Sequence, residues 1–101
     1  MSYPLASVVI TTKNEEKNIG RCLESIRKQT YPKEKIKIIV VDNNSTDRTR
    51  EIAERYTKLV FDKGTERSAQ RNYGIARAKG KYILFLDADM SLSRDVIRDC
   101  I

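Results

Sequence analysis

Two hydrophobic periods alternate along this chain, and that alternation restricts its fold more than any other feature. Short runs rich in β-branched residues fall at positions 6–11 and 37–41, the second unbroken and apolar from Ile38 to Val41, with further apolar runs at 59–61 and 82–86. Continuous apolarity marks strands covered on both faces, as in a parallel sheet. Between the runs the period becomes helical. Ile19, Cys22, Leu23 and Ile26 follow the i, i+3, i+4, i+7 spacing with charges between them. A second helix is expected to open at Asn44 or Ser45, a good N-cap, with Asp47 in its first turn. Ile52, Ala53 and Tyr56 form its apolar side. A third is expected from about Arg67 to Ala78, with Gly80 as its C-cap. Residues 93–101 begin a fourth, with Val96, Ile97, Cys100 and Ile101 inward. The order β-α-β-α-β-α-β-α, with right-handed crossovers, predicts an α/β domain: an open, mostly parallel sheet with helices on both faces.

Composition narrows the function. The 101 residues suit one domain. The apolar runs fall far short of the roughly 20 residues that span a bilayer. The opening Met1-Ser2-Tyr3-Pro4 lacks the basic-then-apolar pattern of a secretory leader, so a soluble, cytoplasmic chain is expected. Twenty Lys and Arg against 14 Asp and Glu give +6, a balance that suits nucleic acid, an anionic membrane or a phosphorylated substrate. The basic residues are dispersed, however, and Lys33, Lys35 and Lys37 alternate with Glu34 and Ile36. A solvated, weakly anion-seeking surface is expected, and no nucleic-acid partner. The chain has no histidine, and Cys22 and Cys100 lie far apart. A structural zinc site, a Ser-His-Asp triad and a Cys-His pair within these residues are thereby excluded; both thiols are expected to be reduced core residues.

Ligands of open parallel sheets bind at the carboxyl ends of the strands. After the first run come Thr11, Thr12, Lys13, Asn14, Glu15 and Glu16. After the second come Asp42, Asn43, Asn44, Ser45, Thr46 and Asp47, and after the last Asp87, Ala88 and Asp89. Carboxylates thus converge on one rim. Glu16 and Asp47 read as ordinary loop and capping residues. Asp42, which directly ends an apolar strand, admits a structural and a functional reading equally. Asp87 and Asp89 follow five apolar residues. At i, i+2 on an extended segment they project to one side and are able to share a cation. Such a pair repels itself unless neutralised, and a divalent metal holding a diphosphate meets that need. Gly74 lies inside a helical pattern, where glycine costs about 1 kcal/mol relative to alanine. It implies close approach by another backbone or a ligand. Arg67 and Arg71 share one helix face and suit either phosphates or solvent beside Glu66.

Taken together, residues 7–16 (Ser-Val-Val-Ile-Thr-Thr-Lys-Asn-Glu-Glu), 40–47 (Val-Val-Asp-Asn-Asn-Ser-Thr-Asp), 71–74 (Arg-Asn-Tyr-Gly) and 86–89 (Leu-Asp-Ala-Asp) resemble family 2 glycosyltransferases. The resemblance implies the GT-A fold, with this chain as its Rossmann-like, nucleotide-sugar-binding half. It also implies roles. Thr11, Thr12, Asn14 and Glu15 would line the nucleotide pocket, Glu15 near the nucleoside. Asp42 would hydrogen-bond the base, and Arg71 would lie beside the nucleotide, with residues 72–74 shaping that wall. Asp87 would approach the ribose or the metal, and Asp89 would bind Mn²⁺ or Mg²⁺ on the diphosphate of a UDP- or GDP-sugar. Thr12 stands where the family often has proline, Lys13 where an aromatic is common, and Asn43 where a second aspartate is frequent. Twelve residues follow Asp89. In the family, the acceptor site and the general base of the inverting displacement lie further on. Residues 1–101 are therefore expected to be one donor-binding domain truncated after the Asp-x-Asp pair, with no catalytic base and an unidentified acceptor. A longer parent at the cytoplasmic face of a membrane is compatible with this. The edge left on the fourth strand invites pairing or dimerisation.

Rival readings are a haloacid-dehalogenase-like phosphatase, suggested by Asp87-Ala88-Asp89, and a receiver-like phosphoacceptor domain. The first wants its Asp-x-Asp after the first strand, and the second wants an acidic pair there, where Thr12-Lys13-Asn14 stands. A non-catalytic nucleotide-binding or interaction module on the same fold is the remaining alternative.

Overall fold

The β-branched run Ala-Ser-Val-Val-Ile-Thr-Thr forms strand β1 (Ala6–Thr12), every residue of which is buried. The computed structural model describes residues 3–62, 67–78 and 82–100, with backbone only for residues 67–69, 71 and 100. After β1 come α1 (Ile19–Arg27), a 3-10 turn (Lys33–Lys35), β2 (Ile36–Asp42) and α2 (Thr49–Glu54). Then follow β3 (Val60–Asp62), α3 (Arg67–Arg77), β4 (Tyr82–Asp87) and α4 (Val96–Cys100). The strands lie in the order β3-β2-β1-β4, and every pairing is parallel. The expected parallel α/β sheet is therefore what the chain forms.

Alternation along β1 divides the core. Val8 and Ile10 face α1, α2 and α4, in a cluster with Cys22, Leu23, Ile26, Ala53 and Ile97. Val9 faces the other way, with Ile39 and Val41, toward Tyr73 of α3. Ile19, Cys22, Leu23 and Ile26 are all buried, as their helical spacing predicts. Cys22 is a free thiol. Burial first, and the Asp89 charge second, push it up to about 11, so it stays protonated at neutral pH. The Cys100 side chain, Ile101 and Gly80 lie outside the described residues. Buried Gln29 anchors the last segment: its Nε2 donates to Ser93 O (2.6 Å) and its Oε1 accepts from Ile97 N–H (2.9 Å). Among the described residues, no helix is long and apolar enough to cross a membrane.

Three expectations change. The second helix opens at Thr49, preceded by Arg48, and not at Asn44 or Ser45. Asn44 adopts a left-handed φ of 49°, the Ser45 hydroxyl is bonded to Asp42, and Asp47 lies before the helix, where it accepts from the Thr49 N–H (3.0 Å). The close neighbour of Gly74 among the described residues is a side chain, Val9 of β1, and not a backbone. Finally, the unbroken apolarity of β4 does not reflect cover on both faces. Ile83 and Phe85 are 41% and 38% exposed; among the described residues α3 packs chiefly over β1 and β2 and covers the β4 end of that face less.

Candidate functional site

The carboxyl ends of β1 and β4 end side by side, Thr11 paired with Asp87. The Thr11 hydroxyl donates to Asp87 Oδ1 at 3.2 Å, and the Ala88 N–H donates to Thr11 O at 3.2 Å. β4 stops at Asp87, and Met90 N–H closes a turn onto Asp87 O at 3.0 Å. Asp89 therefore sits on a turn rather than on the extended strand that sequence reasoning assumed. The two carboxylates still meet in one place. A cleft of about 170 Å³ is lined by Asp87, Ala88 and Asp89, by Thr11, Thr12, Lys13 and Glu15 of the β1–α1 connection, and by Gln70 of α3. Ala88 is buried between the two aspartates, which fixes the turn that presents them.

Of the sequence-predicted site residues, Thr11, Thr12, Glu15, Asp87 and Asp89 line this cleft. Asn14 and Asp42 do not. Asn14, at φ 50°, belongs to a clasp between two loops. Its N–H donates to Ser45 Oγ (2.8 Å) and its Oδ1 accepts from Thr46 N–H (2.8 Å). The neighbouring Glu15 N–H donates to Thr49 Oγ1 (2.8 Å), and Glu16 N–H to Asp47 Oδ2 (3.2 Å). Burial opposes ionisation of Asp47, but hydrogen bonds from the Thr49 hydroxyl, the Thr49 N–H and the Glu16 N–H prevail and lower its pKa. Asp42 is fully buried beneath this clasp. Its Oδ2 accepts from Ser45 N–H at 2.8 Å and its Oδ1 from Ser45 Oγ–H at 2.5 Å. The Arg71 side chain lies outside the described residues.

Sequence reasoning placed Lys13 in the loop from Thr11 to Glu15 expected to line the pocket but gave it no role, and it missed Gln70. Lys13 is the one cation among the described cleft residues, a charge partner for an anionic ligand; its position after β1 was the available signal. Nothing local marks Gln70, which reads as an ordinary helix residue.

The donor set is hard oxygen, the type that Mg²⁺ and Mn²⁺ take. Among the described residues no group of three His, Cys, Asp or Glu side chains gathers to hold a metal. A cation here fits only if Asp87 and Asp89 are supplemented by ligand oxygens and water. A larger cavity, about 320 Å³, opens at the amino end of β2 between Ile36, Ile38, Arg27 and Arg55. The helices α1 and α2 end there, and their negative dipole ends disfavour an anion; the two arginines complement those ends.

The model for the family described as Glycosyl transferase family 2 matches residues 7–101. Glycosyltransferase AglE of Haloferax volcanii is 41% identical over 97 residues, 89% of this chain and 32% of that protein. Residues 1–349 of Staphylococcus aureus TarS, solved with UDP-GlcNAc, superpose at a TM-score of 0.86 with 33% identity, over 95% of this chain and 30% of theirs. Mannosyltransferase PcManGT of Pyrobaculum calidifontis, in complex with GDP-Man and Mn²⁺, superposes at 0.84 with 28% identity, over 95% of this chain and 31% of its own. The chain thus spans about a third or less of the relatives it matches.

Proposed function

This chain belongs to glycosyl transferase family 2, and from that premise we propose that residues 1–101 form the donor-binding unit of an enzyme that moves a sugar from a nucleoside-diphosphate sugar to an acceptor. The observation that carries the reading is the convergence of Thr11, Thr12, Glu15, Asp87 and Asp89 on one cleft at the strand ends. The bound UDP-GlcNAc of TarS and GDP-Man of PcManGT support a UDP- or GDP-sugar as donor.

In this reading the acceptor oxygen displaces the diphosphate from the anomeric carbon with inversion. The sugar–phosphate bond breaks as the new glycosidic bond forms, and the acceptor's proton passes to a base outside residues 1–101. Asp89 and Asp87 would hold Mn²⁺ or Mg²⁺, which when bound would supply charge neutralisation for the leaving diphosphate. The chain's own residues bind and orient. Thr11 holds the Asp87 carboxylate, Lys13 faces the diphosphate, and the clasp through Asn14, Ser45 and Asp42 fixes the loop that carries Glu15. Arg71 would, by the family resemblance, lie beside the nucleotide; its side chain lies outside the described residues.

Calorimetric titration with UDP, GDP, CDP and dTDP, with and without Mn²⁺, tests this. One nucleotide is expected to bind in a Mn²⁺-dependent manner, and Asp89→Ala to weaken it at least tenfold. If no nucleotide binds to folded protein, the donor-site reading is wrong and the scaffold alternative takes its place. Equal binding with and without Mn²⁺, unaffected by Asp89→Ala, would remove the metal from it.

The same unit is proposed to pair with a second copy through β4. Residues 82–86 carry no charge and no proline, the usual guards of an edge strand, and Ile83 and Phe85 stand exposed beside that edge. Sedimentation velocity is expected to show a dimer that Phe85→Lys returns to monomer; a monomer at every concentration would exclude it.

A further inference from the structure

Gln70 is a buried polar side chain whose amide is committed on one side only. It is 5% exposed, reaches from α3 to the sheet, and its Nε2 donates to Thr12 O (3.2 Å) and Val41 O (2.8 Å). Both partners are carbonyl oxygens, so the orientation of the amide is fixed: turning it would set Oε1 against two acceptors. The two N–H donors are spent on the ends of β1 and β2. What Gln70 keeps for the cleft it lines is Oε1, an acceptor.

A second observation stands beside it. The Thr12 hydroxyl is buried and has no hydrogen-bond partner among the described residues, and Thr12 lines the same cleft. A buried hydroxyl left unpaired is costly in a folded protein, so the layer directly beneath this part of the cleft is polar and unsatisfied. Asp42, the acceptor that the family resemblance assigns to the base, is oriented elsewhere: it is fully buried, with both oxygens held by Ser45. The layout of the cleft separates two regions. Asp87 and Asp89 belong to the β4 side of β1, whereas Gln70 is anchored on β1 and β2. A nucleotide spanning the cleft with its diphosphate at the aspartates places its base against the neutral amide.

Resting on the nucleotide reading above, we propose that Gln70 is a specificity-determining residue: its Oε1 accepts an N–H on the pairing edge of the donor base, such as uracil N3–H or guanine N1–H. The Thr12 hydroxyl completes this polar floor. A site built around a buried acceptor rejects an analogue that lacks the donor.

The test compares UDP with N3-methyl-UDP, or GDP with N1-methyl-GDP if GDP is the nucleotide bound, by calorimetry on the 101-residue chain. The wild type is expected to prefer the unmethylated nucleotide at least tenfold. Gln70→Ala and the volume-preserving Gln70→Met should bring that preference to within twofold, circular dichroism confirming that they fold. Asp42→Asn should weaken both nucleotides alike and leave the preference intact. Three results overturn the proposal: a wild type indifferent to methylation, a preference that survives in folded Gln70 variants, or a preference that collapses in Asp42→Asn. The first and third need no Gln70 variant, so they decide the matter even if both variants unfold. A folded wild type that binds no nucleoside diphosphate defeats the donor-site reading itself, a result distinct from all three.

Discussion

Asp42→Ala is expected to destabilise the chain by about 3 kcal/mol, since it removes two charge-assisted hydrogen bonds and leaves a cavity at a buried site. Both Asp42 oxygens are engaged by Ser45. Ser45 in turn receives the Asn14 N–H, so the loss propagates into the β1–α1 loop that lines the cleft. For a domain of this size, that figure corresponds to a fall in Tm of more than about 10 °C. Asp42→Asn keeps one carbonyl acceptor and should fall between the wild type and Asp42→Ala. Urea denaturation measures both. A loss below about 1 kcal/mol for Asp42→Ala, an ordinary surface value, would mean that the clasp contributes little and that Asp42 is retained for contact with a ligand.

A second large effect is expected at a glycine, and its sign is opposite to that at another. A Cβ built on Gly74 would overlap Val9 Cγ1 of β1. Alanine there gains about 1 kcal/mol of helix propensity, but the helix must move off β1. Overpacking of this kind costs about 1–3 kcal/mol or more, and a net loss of about 2 kcal/mol is expected. Gly20, on α1, has only Ile52 Cγ2 near its added Cβ, at an ordinary 3.7 Å. Gly20→Ala should therefore stabilise by about 0.5–1 kcal/mol. Thermal melts of the pair separate the explanations. If both substitutions stabilise, α3 is free to shift and the close packing against Val9 is not a constraint.

Gly74 illustrates what a sequence reveals and what it withholds. A glycine inside a helical pattern announced a close approach, but not whose atoms make it; that requires knowing that Val9 points toward α3. The parallel sheet and the shared rim were legible for a general reason. Unbroken apolar runs spaced by helical periods leave few topologies, and parallel topology gathers the loops after β1, β2 and β4 at one rim. The misjudged parts depend on geometry between elements. Asn44 and Ser45 are good N-caps in isolation, yet the β2–α2 loop uses Ser45 to bind Asp42 and leaves Asp47 to accept from Thr49. Ile83 and Phe85 look like core until one sees that α3 lies over the neighbouring strands. Gln70 is invisible in the sequence because its partners are main-chain carbonyls far away along the chain, and a carbonyl carries no residue-type signature.

The central position of β1 also bears on how the chain is made. Of the four strands described, β1 leaves the ribosome before the others, yet its partner on one side follows all of them: Thr11 and Asp87, bonded in the finished sheet, are 76 residues apart. At synthesis rates of about 5–20 residues per second, β1 waits roughly 4–15 s with one edge unpaired. Over that interval its Val-Val-Ile segment is a binding site for any passing strand. A nascent chain of this kind depends on early pairing with β2 and cover by α1, or on a chaperone, until residues 82–87 emerge to close the sheet.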